Sequence, residues 1–161
     1  MRLTALAALV AIGALLGGCS GNAATLAPGP GSAGEREWVA NASQLVDALE
    51  SDLLATGTGG SNLATARRAL ASQSDLYTMV VAYSQFGDCT HELANVGTPS
   101  RRAEMAAQAI AGACRKLSHA AALFHRAASQ DDPAALIAAT RGAVAAEPLL
   151  LSARADLAAL A

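Results

Sequence analysis

Apolar residues recur along this chain at spacings of three and four, the period of a helix buried along one side. From about Glu35 to Ala55 the positions Trp38, Ala42, Leu45, Val46, Leu49 and Leu53 hold that spacing, with Asp47, Glu50 and Asp52 largely off the face. Thr56-Gly57-Thr58-Gly59-Gly60 ends this helix in a turn, because glycine enters the left-handed conformations of helix C-termini without a steric penalty. Ser61 is the expected N-cap of a second helix, which runs to Phe86 with Gly87 as its stop. Leu63, Ala66, Leu70, Tyr77, Val80 and Ser84 form its stripe, with Val81 beside it. Gln73-Ser74-Asp75 interrupts the apolar pattern and marks a place for a kink.

Beyond Gly87, Asp88 is placed to cap a short helix from Cys89 to Val96, closed by Gly97. Thr98 or Ser100 then caps a third long helix from about Arg101 to Ala128, with Pro99 suited to a first turn. Met105, Ala109, Ala113, Leu117, Ala120, Phe124 and Ala127 keep register along it. Asp131-Asp132-Pro133 is a helix start, with Asp as N-cap and Pro in the first turn. The fourth helix spans Pro133 to Ala146 and resumes through Leu149 to Leu160. Pro148 lacks the amide proton a continuous helix needs, so a kink or break is expected there. No stretch alternates with a period of two. The expected fold is all-α: an antiparallel four-helix bundle with a short extra helix and one disulfide.

Composition sharpens this picture. Hydrophobic residues make up 53% of the 161, but aromatics only 3%, and alanine is abundant. Alanine favours helix and buries little area per residue. The helices are therefore expected to approach closely through small side chains, with a few large residues as anchors: Trp38, Leu45, Leu49, Leu70, Tyr77, Phe86, Leu117 and Phe124. Eleven basic and thirteen acidic residues give a net charge of −2. They are scattered singly or in pairs, so no basic field for nucleic acid exists. Arg67-Arg68, Arg101-Arg102 and Arg115-Lys116 lie on three different segments and read as solvated faces. If aligned, they would suit anionic lipid or a polyanionic wall polymer.

The N-terminus departs from the helical pattern. Met1-Arg2 precedes an uncharged run from Leu3 to Leu16, and fourteen residues of helix rise about 21 Å, short of the roughly 30 Å hydrocarbon core. That length makes it a signal h-region and not a span. The run ends in Leu16-Gly17-Gly18-Cys19, an aliphatic residue, two small residues and a cysteine. This stretch resembles the lipobox of bacterial lipoproteins. The resemblance implies that Cys19 is acylated and becomes the first residue of a mature, membrane-anchored protein on the extracytoplasmic face. Two or three acyl chains suffice for stable anchoring, where one is marginal. With its alanine content and Lys116 as its single lysine, the chain resembles the small Ala-rich helical lipoproteins of high-GC Gram-positive bacteria, a resemblance that carries no assigned activity. Ser20 to Gly34 has no charge and no periodicity. Those fifteen residues read as a flexible tether with a mean reach near 20 Å. The expected organisation is a signal peptide over 1–18, a lipidated tether over 19–34 and a helical domain over 35–161.

Cys89 and Cys114 are the remaining cysteines. Outside the cytoplasm such a pair is most economically a disulfide, and hairpin geometry lets the short helix and the third helix bring them level. A Cys2His2 metal site from Cys89, His91, Cys114 and His119 fits poorly, because His119 lies about 140° around the helix from Cys114 and His91 about 200° from Cys89. Asp88-x-x-His91 is unpaired, so a di-iron bundle is not indicated, and His125 reads as an exposed residue near a helix end. The glycines after Thr56 match no phosphate-binding pattern, and no Gly-x-Ser-x-Gly or His-Glu-x-x-His occurs. No catalytic residue, metal ligand or cofactor is nominated. The expectation is a non-enzymatic, lipid-anchored envelope domain that presents a surface to a protein or envelope-polymer partner. The rival is a small-molecule binder with a bundle cavity lined by Tyr77, Tyr83, Phe86 and Phe124. The same aromatics also read as a plain core seam. An enzyme whose site sequence does not nominate is the third reading.

Overall fold

The computed structural model describes residues 32–56 and 60–161. The expected signal peptide, Cys19, most of the tether and the glycines at 57 and 59 lie outside the described residues. Those described form an all-α bundle of six helices: α1 (Ala33–Thr56), α2 (Leu63–Ala71), α3 (Gln73–Val96), α4 (Glu104–Gln130), α5 (Pro133–Val144) and α6 (Glu147–Ala158). No strand occurs among the described residues. The four long rods are α1, α3, α4 and the α5–α6 pair. Helix α4 packs on α3, α5 and α6, while α1 packs on α3 and α6, and α2 fills the corner between α3 and α5.

Four of the six helices, α1, α2, α3 and α5, start at a side-chain cap. Ser32 caps α1, its Oγ accepting from Glu35 N at 3.2 Å, so the helix starts two residues earlier than expected and takes Ala33 and Gly34 out of the tether. Asn62, not Ser61, caps α2. Its Oδ1 accepts from Ala64 N and Thr65 N at 3.0 Å, while Asn62 N donates to Thr65 Oγ1, a reciprocal capping box. Ser100 Oγ accepts from Ala103 N in the turn that leads into α4. Asp131 closes α4 in the left-handed conformation, and Asp132 Oδ1 accepts from Ala134 N and Ala135 N to open α5. The expected break before Pro148 is present: α5 ends at Val144, two turn residues follow, and Pro148 sits in the first turn of α6, where its missing amide is harmless.

The division of the chain into helices also departs from the sequence reading. The expected second helix divides at Ser72, whose extended backbone (φ −93°, ψ 113°) is at once the C-cap of α2 and the N-cap of α3. Conversely, Gly87 does not stop α3, which runs on to Gly97 (φ +95°) and absorbs the expected short helix Cys89–Val96. The short extra helix of the bundle is α2. Glycine inside a helix costs only about 1 kcal/mol, and the buried residues either side of Gly87, Phe86 and Cys89, hold the backbone helical through it.

The break at Ser72 resets the phase of the apolar stripe. Leu76, Met79, Tyr83 and Phe86 face inward in place of Tyr77, Val80 and Ser84, a shift of one residue and so of about 100° around the axis. Tyr77 is 70% exposed and is no core anchor. Leu45 and Leu70, also expected as anchors, are half-buried against the core, whereas Trp38, Leu49, Phe86, Leu117 and Phe124 are buried. On α4 the seam holds from Ala113 onward, but Met105 is exposed, its place taken by Ala106, with Ile110 for Ala109.

Close approach through alanine is evident where α4 meets α5: a methyl built on Gly142 would lie 3.4 Å from Ala120 Cβ. Gly60 is tighter still. A Cβ there would fall 2.0 Å from Thr140 Oγ1 and 2.9 Å from the Leu136 carbonyl oxygen, so Gly60, ahead of α2, lies directly on α5. Helix α1 is tied to its neighbours at both ends of its length. Trp38 Nε1 donates to Gly97 O at 3.2 Å, Arg102 pairs with the buried Glu35 at 3.1 Å, and Arg154 on α6 bridges Asp47 and Glu50.

Candidate functional site

The α3–α4 seam gathers most of the residues with candidate chemistry. As α3 advances from Tyr83 to Cys89, its partners on α4 recede from Phe124 through Ser118 to Cys114, which sets the two helices antiparallel. Cys89 and Cys114 form a disulfide with Cα atoms 5.2 Å apart, closing a separation of 25 residues. Both are buried. Their thiols are consumed by one another, so the Cys2His2 set loses its two sulfur donors. His91, His119 and His125 are all exposed.

The four aromatics divide. Tyr83 stacks on Phe124 with centroids 4.3 Å apart and rings 4° from parallel, and meets Phe86 edge-on at 5.3 Å, the latter an arrangement favoured by ring quadrupoles. The three rings fill the space between α3 and α4. Tyr77 lies on the opposite side of α3 with Val80 and Val81, an exposed apolar strip at i, i+3 and i+4. The sequence-expected patch is therefore one packed cluster and one outward tyrosine.

Tyr83 is 2% exposed, and its hydroxyl has no hydrogen-bond partner among the described residues. Burial pushes its phenol above the usual tyrosine range, and the neighbouring Thr140 pulls it back. Thr140 Oγ1 itself donates to Leu136 O at 3.1 Å. An unpartnered buried hydroxyl costs about 1–3 kcal/mol. Tyr83→Phe is expected to leave stability within about 0.5 kcal/mol of the parent or to raise it by up to about 1 kcal/mol. The native state holds the phenolic proton more tightly than the unfolded chain. This contribution is intact below the ordinary pKa of 10.0 and is lost as pH rises through the native value, so the parent loses stability there and the variant does not. Urea titrations at neutral pH and in strong alkali check both statements. A loss above about 1 kcal/mol in the variant at neutral pH would mean that the hydroxyl has a partner such as ordered water.

The paired basic residues do not align. Arg101 and Arg102 sit just before the start of α4, Arg115 and Lys116 about 20 Å further along it, and Arg67 and Arg68 on α2. All six are exposed, and Arg102 is committed to Glu35. Along α5 and α6, Pro133–Ala158 has the length and apolar content of a membrane span. In the structure it is two helices whose Leu136, Ala139, Ala143, Leu150 and Ala153 are buried in the core.

Sequence reasoning missed one feature. Where Ser72 turns the chain, α1, α2 and α3 enclose an open cleft of about 490 Å³. Arg68, in the last turn of α2, and Asp75, in the first turn of α3, both line it. Neither side chain has an ion-pair or hydrogen-bond partner among the described residues. The only local signal was the polar interruption around residues 73–75, which located the turn but not the cleft. Comparison with protein-family models, with curated proteins and with solved structures finds no match for this chain.

Proposed function

We propose that this chain is a non-enzymatic lipoprotein, anchored through Cys19 to the extracytoplasmic face of the cell membrane, whose helical domain presents a surface to a protein or envelope-polymer partner. The observation that carries this reading is Leu16-Gly17-Gly18-Cys19 at the end of an uncharged fourteen-residue run behind Met1-Arg2. The buried Cys89–Cys114 bond accords with it, since structural disulfides persist in oxidising compartments. The outward strip of Tyr77, Val80 and Val81 supports a recognition role, because exposed apolar groups on one helix face are the usual material of a contact. An aromatic-lined ligand cavity draws less support, because Tyr83, Phe86 and Phe124 pack on one another.

The test is Cys19→Ala in a lipoprotein-processing bacterial host. The parent is expected in the membrane fraction, with an acyl mass on its N-terminal peptide. The variant is expected to lack that mass and to remain unprocessed. An unmodified Cys19 in the parent, or processing of the variant unchanged from the parent, rejects the anchor.

A further inference from the structure

We propose that the cleft between α1, α2 and α3 binds an amino-acid zwitterion with an apolar side chain, either free or as a dipeptide. Its volume of about 490 Å³ lies in the range of small-molecule sites. The floor is apolar: Met79 and Ala69 are 3% and 5% exposed, and Ala55 of α1 forms a wall. The rim is polar and carries one charge of each sign. The guanidinium of Arg68 offers a planar donor fork to a carboxylate. The carboxylate of Asp75 offers an acceptor to an ammonium group.

The threonine hydroxyls around them are engaged with the backbone. Thr65 Oγ1 donates to Asn62 O at 3.2 Å and Thr78 Oγ1 donates to Ser74 O at 3.1 Å. Thr65 Oγ1 also accepts from Asn62 N and meets Ser61 Oγ at 3.0 Å, so its hydrogen-bonding capacity is used within the cap. Thr78 Oγ1 has its proton used and its oxygen left as an acceptor. The rim therefore supplies one cationic donor group, Arg68, and two acceptors, the Asp75 carboxylate and Thr78 Oγ1. This composition suits a ligand that brings its own N–H donors and one carboxylate. A phosphate fits it less well, since Asp75 would repel a second negative charge. The two charges stand seven residues apart in sequence on separate helices, and the extended Ser72 turns both toward one cleft. The proposal does not depend on the anchor at Cys19 and stands or falls separately from it.

The experiment is a titration of the 15N-labelled full chain in detergent solution, followed by amide 15N–1H spectra. Three probes are used: L-leucine, L-alanyl-L-leucine and N-acetyl-L-leucine amide, which keeps the side chain and lacks both charges. The expected result is a saturable shift of amides between Thr65 and Met79 with at least one zwitterion, with a Kd of order 1 mM or below. The zwitterion that saturates first distinguishes a free amino acid from a dipeptide. Arg68→Gln and Asp75→Asn are each expected to weaken binding about tenfold or more. Both positions are exposed, so an unchanged melting temperature verifies that the variants are folded. No saturable shift by either zwitterion up to about 20 mM would overturn the proposal. So would equal binding of the uncharged probe, or unchanged binding in both variants.

Discussion

Phe86→Ala is expected to remove about 3–5 kcal/mol of folding stability, whereas Tyr77→Ala, nine residues earlier on the same helix, should change it by less than about 0.5 kcal/mol. Phe86 is 0% exposed, meets Tyr83 edge-on and lies one turn from Cys89. Its truncation opens a cavity in a seam to which α4 contributes four buried alanines, Ala106, Ala113, Ala120 and Ala127. Alanines cannot collapse into that space without moving α3 against α4, which the disulfide resists, so the full cavity term is retained. Tyr77 is 70% exposed and leaves no cavity. Urea denaturation of the two variants measures both values. A comparable loss at the two positions would mean that α3 is rotated from the placement described, since the same stripe cannot bury both. A domain of this size is stable by about 5–15 kcal/mol, so the Phe86 variant is expected to fold only marginally and its midpoint to fall steeply.

The second large effect belongs to Cys89 and Cys114. Replacing both with alanine releases a constraint over a separation of 25 residues, and chain entropy assigns such a loop about 3 kcal/mol. For a domain of this length the melting temperature is expected to fall by about 10 °C. The bond joins the C-terminal third of α3 to α4 and is buried, so it should resist reductant until the domain unfolds. Alkylation after mild reduction, followed by intact mass, tests this. The native chain should keep the pair oxidised, and the urea-unfolded chain should yield both thiols. A double variant within about 1 kcal/mol of the parent would show that the antiparallel hairpin holds without its staple.

Much of the fold is legible in the order of the residues. Trp38, Ala42, Val46 and Leu49 on α1, and Ala113, Leu117, Ala120, Phe124 and Ala127 on α4, bury the faces their spacing indicates. Each belongs to a helix unbroken over more than twenty residues, so periodicity has room to declare itself. The strong punctuation is local as well. Asp131-Asp132-Pro133, Gly97 and Pro148 act through their own side chains and backbone preferences. The all-α class and the bundle follow from those signals. The cysteine pair was legible instead from the expected export and the cysteine count, its hairpin being formed by α3 and not by the short helix expected from Cys89.

What the chain does at Ser72 and Gly87 needed the tertiary structure. At Gly87 a local penalty of about 1 kcal/mol is outweighed by burial of Phe86 and Cys89 against α4, worth several kcal/mol, a partner some thirty residues away that no window along the chain contains. Ser72 is the converse. Its caps are individually weak, and the break forms because it lets α2 lie between α3 and α5 while α3 turns Met79, Tyr83 and Phe86 inward. That one residue decided that Tyr77 faces solvent and that Arg68 and Asp75 share a cleft. Local propensity therefore determined which segments are helices. Only packing determined where they join and which way each one faces, because a helix's phase is set by the largest surface it can bury.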